Sequence, residues 1–318
     1  MKSKTIVFAV SFLAIAATVG CGSSGNIVQP TLNGNYSDAS LKGSYVYQVH
    51  GFDPTGNPYR QIGVFTADGN GNITGGADDS SASASGTQVS GTYNVSKDGT
   101  GFIGISTSLG ALNWAITLTS ASQLQLIEAD SSVNAGGTAE LQDSAAITAI
   151  PTGTFVFRVH QEISAENQAP AGDAGVLAFS SGTGSGSMDQ NLAGTLTSPS
   201  VSSTLNAPGS LGRGTGTLLN GSTNFTTNLI YYVVNSSKFY ILVTNVGAVG
   251  SGSAELQSGN VGAGLSGNYA FGSRGEDSTF FAGIATVGQF NATSGAISGT
   301  EDVSQDGSIS NSVAISSC

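Results

Sequence analysis

Three segments of the chain open in the same way, and that repetition constrains the fold more than any other feature. The first reads Gly43-Ser44-Tyr45-Val46-Tyr47-Gln48-Val49-His50, the second Gly153-Thr154-Phe155-Val156-Phe157-Arg158-Val159-His160, and the third Gly267-Asn268-Tyr269-Ala270-Phe271-Gly272-Ser273-Arg274. The first two also close alike, on Ala139-Glu140-Leu141-Gln142 and Ala254-Glu255-Leu256-Gln257. A period of about 110 residues is too long for a solenoid unit and matches a whole small domain. The chain is therefore read as tandem domains, with boundaries at 41–149, 150–260 and 261–318.

Within the first repeat the pattern has period two, so successive side chains point to opposite faces of a strand. Tyr45, Tyr47 and Val49 fall on one face, and Val46, Gln48 and His50 on the other. Further strands are expected at Gly63–Ala67, Ile73–Asp78, Gln88–Val95, Thr100–Ser106, Leu112–Leu118, Gln123–Glu128 and Thr138–Gln142. Asp68-Gly69-Asn70-Gly71-Asn72 and Ser96-Lys97-Asp98-Gly99 have the residues of tight hairpin turns. Eight short strands in succession predict an all-β fold of tandem antiparallel up-and-down β-barrels, because closure removes exposed sheet edges. A β-sandwich uses the same signals and is the alternative. Tyr45, Tyr47, Phe65, Tyr93, Trp114 and Leu126 are the expected interior, which favours a filled barrel over a hollow one. The third repeat matches the first only from Gly267 to about Asp302, with Phe290 at the place of Phe65 and Ile297 at that of Ile73. Gly307–Cys318 resembles the start of a fourth strand, so this repeat is expected to be incomplete, through truncation or through pairing with something else.

The N-terminus reads as an export address. Lys2 and Lys4 precede an uncharged run from Ile6 to Val19, too short for a spanning helix and suited to a signal-peptide core. The run ends in Thr18-Val19-Gly20-Cys21, which resembles the lipobox of bacterial lipoproteins. That resemblance implies a signal peptide over 1–20, lipidation of Cys21 and a membrane anchor through that lipid, followed by a flexible tether over 21–40. No Asp follows Cys21, so the outer membrane is the expected destination, facing the periplasm or the cell surface. Removing residues 1–20 takes the formal net charge from −11 to −13, which repels anionic head groups and leaves anchoring to the lipid. Cys318 is then the remaining thiol, and it has no partner for an internal bridge.

Charged residues make up 9% of the chain against about 25% in an ordinary soluble domain. With an acidic balance and no basic run, a nucleic-acid partner is not expected. A hydrophobic content of 39% excludes the disorder signature. The export signal, the aromatic-x-aromatic first strand and the segment Gly63-Val64-Phe65-Thr66-Ala67-Asp68-Gly69-Asn70-Gly71-Asn72-Ile73-Thr74-Gly75-Gly76 together resemble uncharacterised lipoproteins of the acidobacterial type, which carry tandem β-repeats of this length. The Gly43-Ser44-Tyr45 opening is also loosely similar to the calycin superfamily of lipocalins and avidins.

Residues with chemical potential each have a plainer reading beside the sharper one. His50 and His160, the two histidines, occupy equivalent repeat positions, and Arg274 takes that position in the third repeat. One imidazole per domain makes a poor metal site, so both read as outward polar side chains. Asp68, Asn70 and Asn72, with Asp79 eleven positions after Asp68, echo the oxygen spacing of a calcium loop, but Ile73 stands where the loop needs glycine and a hairpin turn explains the same residues. Glu140 and Glu255, and likewise Glu128 and Asp130, read as solvated carboxylates rather than a hydrolytic pair. No Gly-x-Ser-x-Gly elbow is present, and the Gly182–Gly186 stretch has no following Lys for phosphate. The expectation is a non-enzymatic, exported, lipid-anchored envelope protein without a cofactor, a surface binding or interaction module meeting polysaccharide or protein. The alternative is a lipocalin-type carrier of a small apolar ligand.

Overall fold

The computed structural model describes residues 34–163, 169–258, 264–277, 282–305 and 307–316. Cys21, the signal segment and most of the expected tether lie outside these residues. Strands β1 (Lys42–Phe52), β2 (Pro58–Asp68), β3 (Asn72–Ser80), β4 (Thr87–Gln88), β5 (Ser90–Val95), β6 (Thr100–Thr107), β7 (Gly110–Ser120), β8 (Gln123–Glu128) and β9 (Asn134–Leu141) form the first domain. Each pairs antiparallel with its neighbour, β3 meets both β4 and β5, and β9 returns to β1 in the register Tyr45↔Leu141 to Phe52↔Asn134. The sheet is closed, with eight staves and the short β4 as an addition. The barrel is therefore the fold, and the sandwich is not.

The second domain repeats this closure with β10 (Gly153–Ile163), β11 (Ala169–Ser180), β12 (Thr183–Leu192), β13 (Thr195–Thr197), β14 (Ser200–Leu205), β15 (Arg213–Asn220), β16 (Phe225–Asn235), β17 (Lys238–Val243) and β18 (Ala248–Leu256). Here β18 returns to β10, and β13 is the short addition. The third repeat supplies β19 (Gly267–Asp277), β20 (Ala282–Thr293), β21 (Ala296–Gln305) and β22 (Ser308–Ser316), an open four-stranded meander. Its register preserves the expected equivalences, since Tyr269 faces Phe290 as Tyr45 faces Phe65. No α-helix, and so none able to cross a membrane, occurs among the described residues.

Alternation puts one face of the barrel strands inside. Tyr45, Tyr47, Phe65, Tyr93, Trp114 and Leu126 are all buried in the first barrel, where Tyr47 meets Trp114 edge to face with ring centroids 4.8 Å apart. A side chain on Gly63 would overlap the Tyr47 phenol, so the glycine makes room for that ring. The turn Asp68–Asn72 takes positive φ at Gly69 and Gly71 (+84° and +91°), which glycine adopts without steric cost. Residues 36–40, within the stretch read as tether, close the lower end of the barrel: Tyr93 Oη donates to the Asp38 and Leu41 carbonyls, and the Asp38 carboxylate accepts from Val95 N–H at 2.7 Å.

A third apolar cluster lies outside both barrels and joins them. Val46, Ile62, Val64 and Ala77, on the outer face of the first, pack against Ile230, Tyr232, Val234, Tyr240 and Leu242, on the outer face of the second. Polar groups cross the same seam. Asp79, fully buried, accepts from Arg213 Nε at 2.7 Å and Nη2 at 2.9 Å, from Tyr232 Oη at 2.7 Å and from Gly86 N–H at 2.8 Å. Gln142 Nε2 donates to the Val233 carbonyl at 2.7 Å, and Gln48 Nε2 to the Gly252 carbonyl at 2.9 Å. Such contacts are costly to break from one side only, because the other side is left as a buried unpaired group. Asp79→Ala is expected to cost about 3–5 kcal/mol in denaturant unfolding followed by Trp114 fluorescence. A loss below about 1 kcal/mol would contradict the assignment of Asp79 as the electrostatic centre of the seam.

Candidate functional site

The seam gathers most of the titratable side chains that the sequence singles out. Strand β10 carries Arg158, His160 and Glu162 on its outer face at alternate positions, and β1 carries His50 opposite Arg60 of β2 in the antiparallel register. Arg60 is buried, and its guanidinium donates to Glu162 Oε1 at 2.5 Å and to the Gly51 and Tyr59 carbonyls at 3.1 and 2.9 Å. His160 Nε2 lies 3.5 Å from the same Glu162 oxygen. The other Glu162 oxygen is buried with no hydrogen-bond partner among the described residues. Burial holds the His50 imidazole down to about 4, and the positive fields of Arg274, Arg60, His160 and Arg158 act in the same direction. His50 is thus neutral at pH 7 and half-buried, which corrects its reading as a solvent-facing residue; His160 keeps 46% exposure.

At another part of the seam, Glu140 accepts from Lys238 Nζ at 2.6 Å and from the Tyr240 hydroxyl. Glu255, its repeat equivalent, lies 3.5 Å from the same Lys238 nitrogen and is exposed. The two carboxylates therefore converge on one lysine, although they belong to different barrels. Glu140 is an inter-barrel tie and not a solvated group, a correction that follows from β9 lying at the seam. One lysine thus bridges a carboxylate of each barrel.

The calcium-loop spacing comes apart in space. The Asp68 carboxylate is taken up by its own turn, accepting from Asn70 N–H at 2.7 Å, Asn72 N–H at 3.1 Å and Asn72 Nδ2 at 2.8 Å, bonds led by the Asn72 amide that hold its pKa below the ordinary value. Asp79 sits at the seam instead. Among the described residues no three His, Cys, Asp or Glu side chains gather as metal ligands.

Acids inside the barrels were not foreseen. Asp78, buried in the first barrel, accepts from the Tyr47 hydroxyl and from Gln61 Nε2 at 2.7 Å, and burial pushes its carboxyl up to about 6. Glu128 is half-buried, accepts from Trp114 Nε1 at 2.9 Å, and is raised to about 7 by burial and then by Asp130. Its reading as a solvated carboxylate fails because it continues the inward row Leu124, Leu126. In the second barrel Asp173 accepts from Gln161 at 2.9 Å and Gln190 at 2.8 Å, and burial raises its pKa. Asp173 lines a cavity of about 30 Å³ together with Phe155, Phe157, Leu177, Ser203 and Phe239. That space suits a water molecule and is far below the several hundred Å³ of a ligand pocket. The sequence signal for Asp173 was its place in the inward alternation with Leu177 and Phe179, whereas Asp78 had none, because the register shift between β2 and β3 puts Ile73 inside and Ala77, four positions on, outside.

Comparisons with known proteins add little. No family model matches the chain, and no curated protein matches it. A solved structure of a DUF3598-family protein of unknown function from Nostoc punctiforme is similar at 9% identity and a TM-score of 0.21, covering 69% of this chain and 97% of that one. Likeness at that level sets neither fold nor function.

The interior acids make a pH prediction. A carboxyl raised in the folded state favours the protonated form, so its contribution is full below the ordinary value near 3.8 and is lost as pH rises through about 6. Glu128 works in the same direction, and His50, lowered, in the opposite one. Asp78→Asn keeps an acceptor for Tyr47 and Gln61 and removes the charge. It is expected to gain on the order of 2 kcal/mol over the wild type at pH 7 and nothing at pH 4, read from denaturant unfolding at the two values. Equal stability at both values would contradict the burial of Asp78 as a charged group.

Proposed function

We propose that the chain is an exported, lipid-anchored, non-enzymatic cell-envelope protein whose paired barrels form a surface binding or interaction module. The observation that carries this reading is the packing of both barrels. Aromatic rings fill the first, and the second leaves room for little more than a water molecule. A carrier of a small apolar molecule needs an interior that excludes fewer of its own side chains. Recognition then falls to the exterior, which is weakly charged and rich in Ser, Thr, Asn and Gly, a composition suited to polysaccharide or another protein. The anchoring part rests on Lys2, Lys4, the apolar run and Thr18-Val19-Gly20-Cys21, and the acidobacterial-type lipoprotein resemblance agrees with it.

Full-length chain expressed in a Gram-negative host is expected in the membrane fraction with the mass of a lipidated N-terminal cysteine. Cys21→Ser is expected to leave the membrane fraction. Wild-type chain without added lipid mass, or a Cys21→Ser protein still sedimenting with membranes, would overturn the anchor.

A further inference from the structure

An up-and-down barrel sends its turns alternately to its two ends, and here the two ends differ in chemistry. The lower end is the one that residues 36–40 close in the first barrel, where the turns are Gly69–Gly71, Ser96–Gly99 and Ala121–Ser122. In the second barrel the lower turns are Ser181–Gly182, Asn206–Gly212 and Ser236–Ser237. None of these described turns carries an exposed large apolar side chain. At the upper end of the second barrel each described connection carries one. Leu196, on β13, is 68% exposed, Phe225, opening β16, is 56% exposed, and Val246, between β17 and β18, is fully exposed. The first barrel adds Leu109, between β6 and β7, at 65%. Single exposed apolar side chains are ordinary on a protein surface. Their confinement to the turns of one end is not.

The upper tips of the second barrel are also built to tolerate the loss of water. An asparagine braces each of them. Asn191 Oδ1 accepts from Gly194 N–H at 2.9 Å, and Asn220 Oδ1 from Ser222 and Thr223 N–H at 2.9 and 3.2 Å. Asn245 Nδ2 donates to the Thr226 carbonyl at 2.9 Å, and its Oδ1 accepts from Asn228 N–H at 2.5 Å. Backbone groups satisfied within a turn lose little when the turn leaves water. Residues 193–199, 221–225 and 244–247 contain no charged side chain, so no ion has to be dehydrated with them.

We infer that the upper rim of the second barrel is a bilayer-contacting surface, on which Leu196, Phe225 and Val246 enter the interfacial region of a phospholipid membrane. A protein partner is met by a continuous, closely packed patch, whereas these tips sit on successive connections around the rim and project singly. A fluid interface closes around each tip separately. With uncharged tips on an acidic chain the contact is apolar rather than electrostatic, and a zwitterionic lipid suffices. The inference rests on the anchored-module reading, which brings a membrane within reach, and names the surface that the anchored body turns toward it.

Brominated acyl chains quench a tryptophan only where its ring enters the bilayer, which separates contact by the rim from attachment through the lipid. Full-length chain carrying Phe225→Trp or Val246→Trp is incorporated into phosphatidylcholine vesicles with brominated or unbrominated acyl chains. The references are the wild type, whose one tryptophan is the buried Trp114, and Ser236→Trp at the lower end. Both tip variants are expected to lose about half or more of the added fluorescence on brominated lipid, with both references unchanged. Tip tryptophans quenched no more than Ser236→Trp would overturn the inference and leave the rim to a protein partner. The mass of the N-terminal cysteine, read on the same samples, keeps the two claims apart. Unquenched tips on a lipidated chain sink the rim alone, and quenched tips on a chain without added lipid mass sink the anchor alone.

Discussion

The docking of the two barrels turns on a single buried carboxylate. Asp79 lies on the outer face of β3, has no access to solvent, and takes its compensation from Arg213 and Tyr232 of the neighbouring domain. A charge removed from water is tolerated only where opposite charge and hydrogen bonds replace the lost hydration. The first barrel therefore carries a group that its own strands do not satisfy. The apolar contact of Ile62 and Val64 with Tyr232 and Leu242 supplies the dry surface around it, and dryness strengthens the ion pair in turn. The neighbouring ties through Gln48, Gln142, Glu140 and Lys238 follow from that docking.

The sequence made the interior legible and left the exterior dark. Period-two alternation placed Tyr45, Tyr47, Phe65, Tyr93, Trp114 and Leu126 inside, and all six are there. The strand at Gln123–Glu128 and the hairpin at Asp68–Asn72 also stand as expected. Closure into a barrel followed from strand count and the cost of open edges. Alternation assigns a side chain to a face, however, and says nothing of what lies against that face. Val46, Gln48, His50 and Glu140 were rightly placed outside, yet the outside of β1 and β9 is the seam. A local signal for this was present in the second repeat. Leu229–Val234 and Phe239–Val243 are unbroken apolar runs, the pattern of strands buried on both faces. The hairpin turn preferred over a calcium loop at Asp68–Asn72 is the observed one: spacing along a chain measures proximity only within a loop, and Asp79 belongs to a strand that carries it away from Asp68.

Repetition has a chemical consequence here beyond economy of fold. Equivalent residues inherited by each repeat meet where the sheets adjoin, so position matters more than identity. Glu140 and Glu255 reach one lysine, and His50 lies in the field of His160, its equivalent in the second repeat. Inside the barrels the repeats have diverged. Asp78 corresponds to Met188, and the second barrel keeps its buried acid one strand earlier at Asp173. Both interiors are packed, each around a buried acid held by hydrogen-bonding side chains.

The account's central claim is that the barrels form one cooperative body through the seam. Hydrogen exchange on the full-length chain in increasing denaturant tests it most directly, comparing backbone amides of β7 and β8 in the first barrel with those of β15 and β16 in the second. Both sets are expected to become unprotected through the same opening, with matching free energies and matching denaturant dependence. Two sets that open separately, one barrel exchanging while the other stays protected, would contradict it.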